Sequence, residues 1–354
     1  MFRKPKHIES ASFILLALAH YLFFNGSRTE AGFLLGGMGL AIAHGYSRYV
    51  KNGTVPRDVR TAISMFNLEP DLRTYVCCTN STCCELYLTD TDGAFPTVCT
   101  VCNSRLGKTT SLNGKSFRSP YSTFQYQPIS SWLGRLLSRP GIEDAIEETL
   151  QNAKKTDVAR DIWHTGFFQL FTWPDGSTFW GQPSSNIRLL FSMGIDWYNA
   201  HHSGVARKTW SVGPIYLVCQ SLPPDLRFLP ANICLLGIIP GPRKPKGIAI
   251  NNFLSIIVDD LLELWNPGVY LTRTYRNPNG RHVSGVLGPL VCDLDAIRGI
   301  TGFSSHSSTN FCSYCWLPKQ DRSNILSHLW PKRNLKDHWV KVSIIVSSFW
   351  GSDI

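Results

Sequence analysis

Charge is scarce in this sequence of 354 residues: Asp, Glu, Lys and Arg make up 17% of it, against 43% apolar residues. That balance excludes a disordered chain and describes a globular one, long enough for two or three domains. Acid is the scarcer half of the charge, with 25 acidic residues facing 35 basic ones and a formal net charge of +10. Such an excess favours a polyanionic partner, nucleic acid first and a membrane surface second. Internal repeats and low-complexity tracts are missing, which argues against a solenoid. Apolar runs of membrane length are missing too. "SFILLALAHYLFF" and "AGFLLGGMGLAIAH" both fall short of the ~18–20 residues a spanning helix needs. The basic start "MFRKPKH" followed by the first run resembles a signal peptide, and N-x-S/T sequons stand at Asn25, Asn52 and Asn80. The short runs and the polar "NGSRTE" between them favour a buried helical hairpin over a secretory or membrane segment.

Cysteine is present in an odd number, 11, and six of these fall between Cys77 and Cys102. A disulfide framework spreads its cysteines more evenly, whereas close pairs suit metal thiolates in a reducing compartment. In "YVCCTNSTCCELYLTDTDGAFPTVCTVC", Cys78 and Cys83 form one pair and Cys99 and Cys102 a C-x2-C pair. Four soft thiolates in two close pairs build a tetrahedral zinc site, and zinc would supply folding energy that so small a segment lacks. Cys77 and Cys84 are neighbours that could substitute as ligands; a disulfide knot or plain buried thiols are the rival readings. A second C-x2-C, Cys312 and Cys315 in "GFSSHSSTNFCSYCWLP", has His306 six residues before it and His328 and His338 after it. It reads equally well as a zinc site or as a metal-free turn.

Along the chain, "VPRDVRTAISMFNL" predicts a short helix with Pro56 in its first turn and Val59, Ile63 and Phe66 on one face. Residues 106–135, rich in Ser, Thr, Tyr and Pro, read as an extended linker. "GIEDAIEETLQNAKK" predicts a polar helix whose acids and lysines match the helix dipole. "NIRLLFSMGIDWYN" is helix or strand. "WSVGPIYLVCQSL" and "ICLLGIIPG" are β-rich, with a turn at "PPDLRF" between them. "INNFLSIIVDDLLELW" is an amphipathic helix with Ile250, Phe253, Leu254, Ile257, Leu261 and Leu264 on its apolar face and Asp259, Asp260 and Glu263 on a solvated one. "VSGVLGPLVCDLDA" is a further strand.

Two acids, Asp196 and Asp293, each follow an apolar run and precede a polar break. If their strands are neighbours, the carboxylates converge, and like charges repel unless a cation screens them. Mg2+ or Mn2+ suits such oxygen ligands, and a carboxylate pair of this kind is the heart of two-metal phosphoryl transfer. The competing reading is that each acid caps a strand or a turn.

The stretches "VPRDVRTAISMFNLEPDLRTYVCC", "FSMGIDWYN", "WSVGPIYLVCQSLPPDLRF", "LLGIIPGP", "VDDLLELWNPGVYLTRT", "PLVCDLDA" and "GFSSHSSTNFCSYCWLP", in this order from about 55 to 338, resemble the transposases of CACTA (En/Spm) DNA transposons in their fungal form. The resemblance implies an α/β fold with a partial ribonuclease-H-like core, preceded by an α-helical hairpin and a zinc-ribbon-like segment. It implies Asp196 and Asp293 as the first two catalytic acids with Mg2+ or Mn2+, the cysteine cluster as an upstream Zn2+ site, and Cys312 and Cys315 as a C-x2-C inserted after the second acid. DNA, as transposon ends and target, would be the partner, with homo-oligomers possible in principle, no membrane, and a nuclear location. The implied chemistry is water attack on a phosphodiester and then attack of the freed 3′-hydroxyl on target DNA. Two departures stand out. "YNAHH" replaces the family's usual NPF after the first acid's aromatic, and the third acid lies beyond the matched region. The sequence therefore reads as a truncated or mis-spliced copy with impaired cleavage, and a non-catalytic, zinc-containing DNA-binding remnant is the alternative. The expected organisation is helical at 1–68, cysteine-rich at 69–106, linker and polar helix at 107–160, incomplete core at 161–338 and an aberrant tail at 339–354.

Overall fold

A computed structural model describes residues 8–23, 27–45, 55–66, 68–89, 93–112, 115–152, 160–165, 170–174, 176–178, 186–199, 210–304, 307–334 and 336. The tail at 339–354, the basic start at 1–7, the sequons at Asn25 and Asn52, and the ligand candidates His306 and His338 lie outside these residues. The chain divides into two compact units, Met1–Asp71 and Leu72–Ile354.

Among the described residues of the first unit are three helices, α1 (Ile8–Phe23), α2 (Arg28–Gly45) and α3 (Val59–Met65). Ser27 and Glu30 form a capping box at the start of α2: the Glu30 amide donates to Ser27 Oγ, and the Ser27 amide donates to Glu30 Oε2. Ile14, Ala17, Leu18, Ala31, Leu35, Val59 and Ala62 interlock as its core. The helix expected from Pro56 starts instead at Val59. Asp58, whose carboxylate accepts from the Arg60 amide at 2.9 Å, is the N-cap and leaves Pro56 outside. Among the described residues no helix is long and apolar enough to cross a membrane.

The second unit is built on one mixed sheet. Its strands are β1 (Arg73–Cys77), β2 (Leu86–Leu88), β5 (Thr123–Tyr126), β6 (Asn186–Ile195), β7 (Tyr198–Asn199), β8 (Ser211–Cys219), β9 (Ile233–Ile239), β10 (Val269–Leu271) and β11 (Arg281–Leu290), while β3 (Gly107–Leu112) and β4 (Lys115–Pro120) form a separate hairpin. The order across the sheet is β10-β11-β6-β8-β9-β5-β1-β2, with β7 paired to β8. β6, β8 and β9 run antiparallel in sequence. β11 then returns beside β6 in parallel, after the crossover helix α7 (Asn251–Trp265). Among the described residues the further helices are α4 (Ile129–Leu137), α5 (Ile142–Asn152), α6 (Pro224–Arg227) and α8 (Leu294–Thr301).

The central strand β6 is buried from Ile187 to Ile195. Phe191 joins the core formed with Trp132 and Leu133 of α4 and Phe253, Ile257 and Leu264 of α7. Its neighbour Leu190 joins a separate cluster with Trp163 and Trp173. Each such large side chain contributes about 1.5–3 kcal/mol relative to exposure.

The stretch 106–135, expected as an extended linker, folds as the β3–β4 hairpin, strand β5 and the start of α4. β5 pairs with β1 on one side and meets β9 on the other, through Tyr126 opposite Gly237. A methyl group on Gly237 would lie 2.6 Å from the Phe124 ring and 2.7 Å from the Gln125 carbonyl, so the close approach of β5 requires glycine there. Gly237→Ala is expected to cost about 1–3 kcal/mol as an overpacking change. A lower urea midpoint than wild type checks it. Asp260, placed by periodicity on a solvated face, is instead tied down. Its Oδ2 accepts from Tyr126 Oη at 2.6 Å and from the Ile129 amide at 3.1 Å, joining α7 to β5 and α4. Burial and this carboxylate together push the Tyr126 phenol far above its usual range. Asp259 and Glu263 are exposed as expected.

Candidate metal centres

Three groups of candidate ligands are legible in the sequence, and the structure treats them differently. In the first, β1 ends at Cys77 and Cys78 follows directly, its amide still donating to the Glu85 carbonyl at 2.9 Å. Consecutive strand residues point to opposite faces, so Cys77 joins the main core and Cys78 turns away from it. Cys84 follows Cys77 into the main core, and Cys83 follows Cys78. The doublets are thereby sorted: Cys78, Cys83, Cys99 and Cys102 bring their sulfurs within 4.8 Å of one another.

Cys78 Sγ lies 3.4 Å from Cys102 Sγ, and Cys83 Sγ lies 3.6 Å from Cys99 Sγ. A tetrahedron with zinc–sulfur bonds near 2.3 Å has sulfur–sulfur edges of about 3.8 Å, so these four sulfurs are spaced as a zinc shell rather than as disulfides. All 11 cysteines are free thiols. Backbone amides turn toward the sulfurs two residues back, Asn80 to Cys78, Glu85 to Cys83 and Ser104 to Cys102. Such N–H groups stabilise thiolate charge. Tyr87 Oη donates to Cys99 Sγ at 3.3 Å. The donor set, its spacing and its supporting amides fit a metal ion.

The second group lies at one edge of the sheet. The last register pair of β11 with β6 is Leu290 with Met193. Asp293 and Asp196 each stand three residues further on, past adjacent parallel strands about 4.8 Å apart. Two contacts bind the strand ends together: the Val291 amide donates to the Met193 carbonyl at 2.8 Å, and the Ile195 amide to Cys292 Sγ at 3.3 Å. Burial pushes the Cys292 thiol up, and the nearby charges of Asp293 and Asp196 add to that, so both carboxylates act on one sulfur. Both acids are exposed. Asp196 Oδ1 accepts from the Trp197 amide at 2.7 Å, and Asp293 Oδ1 caps α8 by accepting from the Ala296 amide at 2.6 Å. The capping reading therefore holds for one oxygen of Asp293. Among the described residues, no third side chain completes a three-ligand group with the pair.

The third group is weaker. The Tyr314 amide donates to Cys312 Sγ at 3.4 Å, and Cys315 is buried beside it. Arg333 lies 3.7 Å above the Trp316 ring and donates from Nε to the Cys315 carbonyl. Among the described residues no third ligand joins Cys312 and Cys315; His328 is exposed and stands apart, and His306 falls outside the described residues.

Sequence reasoning passed over one element at the carboxylate edge. The loop after β9, "PGPRKPKG", carries Arg243, Lys244 and Lys246, all exposed. Three cations and three prolines between a strand and a helix were the signal for it.

Residues 177–330 are similar to the transposase family tnp2. The match covers less than half of the chain. It spans both acids and the second cysteine pair, but not the four-cysteine cluster. No curated protein matches the chain.

Proposed function

We propose that the chain is a transposase of the CACTA type, whose core is ribonuclease-H-like and whose first two catalytic acids are Asp196 and Asp293. The observation that carries this reading is the placement of these carboxylates beyond adjacent parallel strands, within the stretch similar to the tnp2 family. The antiparallel β6-β8-β9 meander, the crossover helix and the parallel β11 beside β6 support a core of this kind. When bound, Mg2+ or Mn2+ would polarise the scissile phosphate and ease ionisation of the attacking water. Asp196 and Asp293 would each offer a carboxylate oxygen beyond the one already held by a backbone amide. Hydrolysis joins the water oxygen to phosphorus and breaks the bond to the 3′-oxygen, which leaves as a hydroxyl able to attack target DNA. The four-cysteine cluster would hold Zn2+, and the protein would act in the nucleus, as a homo-oligomer on transposon ends.

The test is Mn2+-dependent nicking of transposon-end DNA by the wild-type chain and by Asp196→Ala and Asp293→Ala. The expected result is nicking by the wild type alone, with weaker Mn2+ binding by both variants in electron paramagnetic resonance. Equal nicking by all three proteins rejects both acids. A second reading, a non-catalytic zinc-containing DNA-binding remnant, draws on the two-acid site, which has no third ligand among the described residues. It predicts DNA binding without nicking.

A further inference from the structure

We infer that the loop Pro242–Gly247 is a DNA-backbone clamp, which lays Arg243, Lys244 and Lys246 beside the carboxylate edge and is anchored by the four-cysteine segment. The inference rests on the transposase reading for its substrate and goes beyond it in naming the surface that grips that substrate.

Topology places the loop. β6 ends at Ile195, directly before Asp196, β8 begins beside that end, and β9, antiparallel to β8, ends there as well. The chain leaving β9 therefore emerges on the same edge as Asp196 and Asp293. Its first part is fixed against β8: the Ser211 amide donates to the Pro242 carbonyl at 3.0 Å. A methyl group on Gly241 would sit 2.6 Å from the Trp210 indole nitrogen, so the backbone lies directly on that ring. The far part is fixed to the cysteine segment. The Lys246 amide donates to the Ser81 carbonyl at 2.7 Å, and Asn252 Nδ2 donates to the Cys83 carbonyl at 2.7 Å. Ser81 lies between the ligand candidates Cys78 and Cys83.

Between these anchors the cations are exposed, and among the described residues none of the three has an acidic partner. Lys244 Nζ lies 5.3 Å from the centre of the Trp197 ring, and Trp197 is the residue after Asp196. That ring can lie flat on β8 because Gly213 beneath it has no side chain. The edge thus offers two carboxylates for metal, an aromatic plate and three adjacent cations. Like-charged side chains held by prolines and two anchors have no structural use to each other; a row of phosphates satisfies them. Phosphate contacts fix the register of a duplex and release counterions, which makes affinity fall with salt.

The test is the salt dependence of binding by the full chain to a short fluorescent DNA duplex, in buffer without Mg2+ or Mn2+. The triple variant Arg243→Ala, Lys244→Ala, Lys246→Ala is expected to reduce the slope of log K against log salt by about 2–3, since each phosphate contact contributes about 0.9. The same charge loss at exposed Arg135, Arg273 and Arg322 is expected to change it little. Stripping zinc is expected to weaken binding by the wild type and to have a smaller effect on the triple variant, as coupled sites require. Equal slopes for the two triple variants overturn the clamp. The transposase reading fails separately, if the wild-type chain binds duplex and releases counterions through this loop but never nicks transposon-end DNA once Mn2+ is added. A wild-type chain that binds no DNA overturns both.

Discussion

Glu143→Ala is expected to destabilise the unit Leu72–Ile354 by about 3–5 kcal/mol, the usual cost of orphaning one partner of a buried ion pair. Glu143 is 1% exposed and Arg281 5%. Glu143 Oε1 accepts from Arg281 Nη1 at 2.9 Å, from Thr274 Oγ1 at 3.0 Å and from Asn277 Nδ2 at 3.1 Å, and Oε2 accepts from the Arg276 amide at 2.8 Å. Arg281 also reaches Glu147 at 3.0 Å. One carboxylate thus ties α5 to the turn between β10 and β11. Burial raises its pKa, but the Arg276 amide, Arg281 and Thr274 overcome that and hold it below the ordinary carboxylate range. A depressed folded value means that the stabilisation is present above the unfolded-state pKa and is lost as pH falls toward the folded one. Urea unfolding followed by near-ultraviolet circular dichroism should show the loss at neutral pH and a smaller gap between wild type and variant in acid. Glu143→Ala with Arg281→Ala should cost less than the sum of the single changes, because each single change leaves the other charge unpaired. Additive losses would mean that the pair is not coupled.

The second large effect concerns zinc. The purified chain is expected to carry one zinc ion at the four-cysteine cluster. Replacing Cys78, Cys83, Cys99 or Cys102 by serine should abolish that binding, while Cys77→Ser and Cys84→Ser should retain it. Cys77 and Cys84 face the main core, where Cys77 Sγ contacts the Cys78 carbonyl and Cys84 Sγ the Asn80 carbonyl. Structural zinc sites in isolated finger peptides supply about 10–16 kcal/mol of binding free energy, so metal-free protein should lose the order of its β1–β2 edge first. Cobalt substitution gives a direct readout, since the thiolate-to-cobalt charge-transfer intensity scales with the number of thiolates and the tetrahedral d–d bands shift as one is lost. Affinity should fall as pH falls, because protons compete for the thiolates. Zinc retained in Cys99→Ser would place the metal elsewhere.

The parts of the site that were legible were local. Cys78 with Cys83, and Cys99 with Cys102, show their pairing in short spacings that survive any tertiary arrangement. Asp196 and Asp293 stood out because apolar runs ended on them. The helix-or-strand ambiguity over 186–195 has a physical cause: Leu190 and Phe191 are buried on opposite faces, so the alternation that marks a strand is erased. The Ser- and Thr-rich composition of 106–135 hid β5, whose partners lie in β1 and β9. Asp260 and Glu143 were unreadable for the same reason. Each looks like a helix-surface acid, and the groups that engage them are more than 100 residues away in sequence.

Both borders of the sheet are short. β2 closes one side with three residues and β10 the other with three. An unprotected strand is a template for recruiting another chain. β2 pairs with β1 through Tyr75–Leu88, Val76–Tyr87 and Cys77–Leu86, and the loop that joins them carries the candidate ligands Cys78 and Cys83. Losing the metal would therefore do more than loosen a small segment. It would bare the flank of β1, rich in Val, Tyr and Thr, to its own copies. Metal-depleted protein is then expected to form light-scattering aggregates of paired strands before it unfolds, and a zinc-loaded cysteine cluster would act as a guard of solubility.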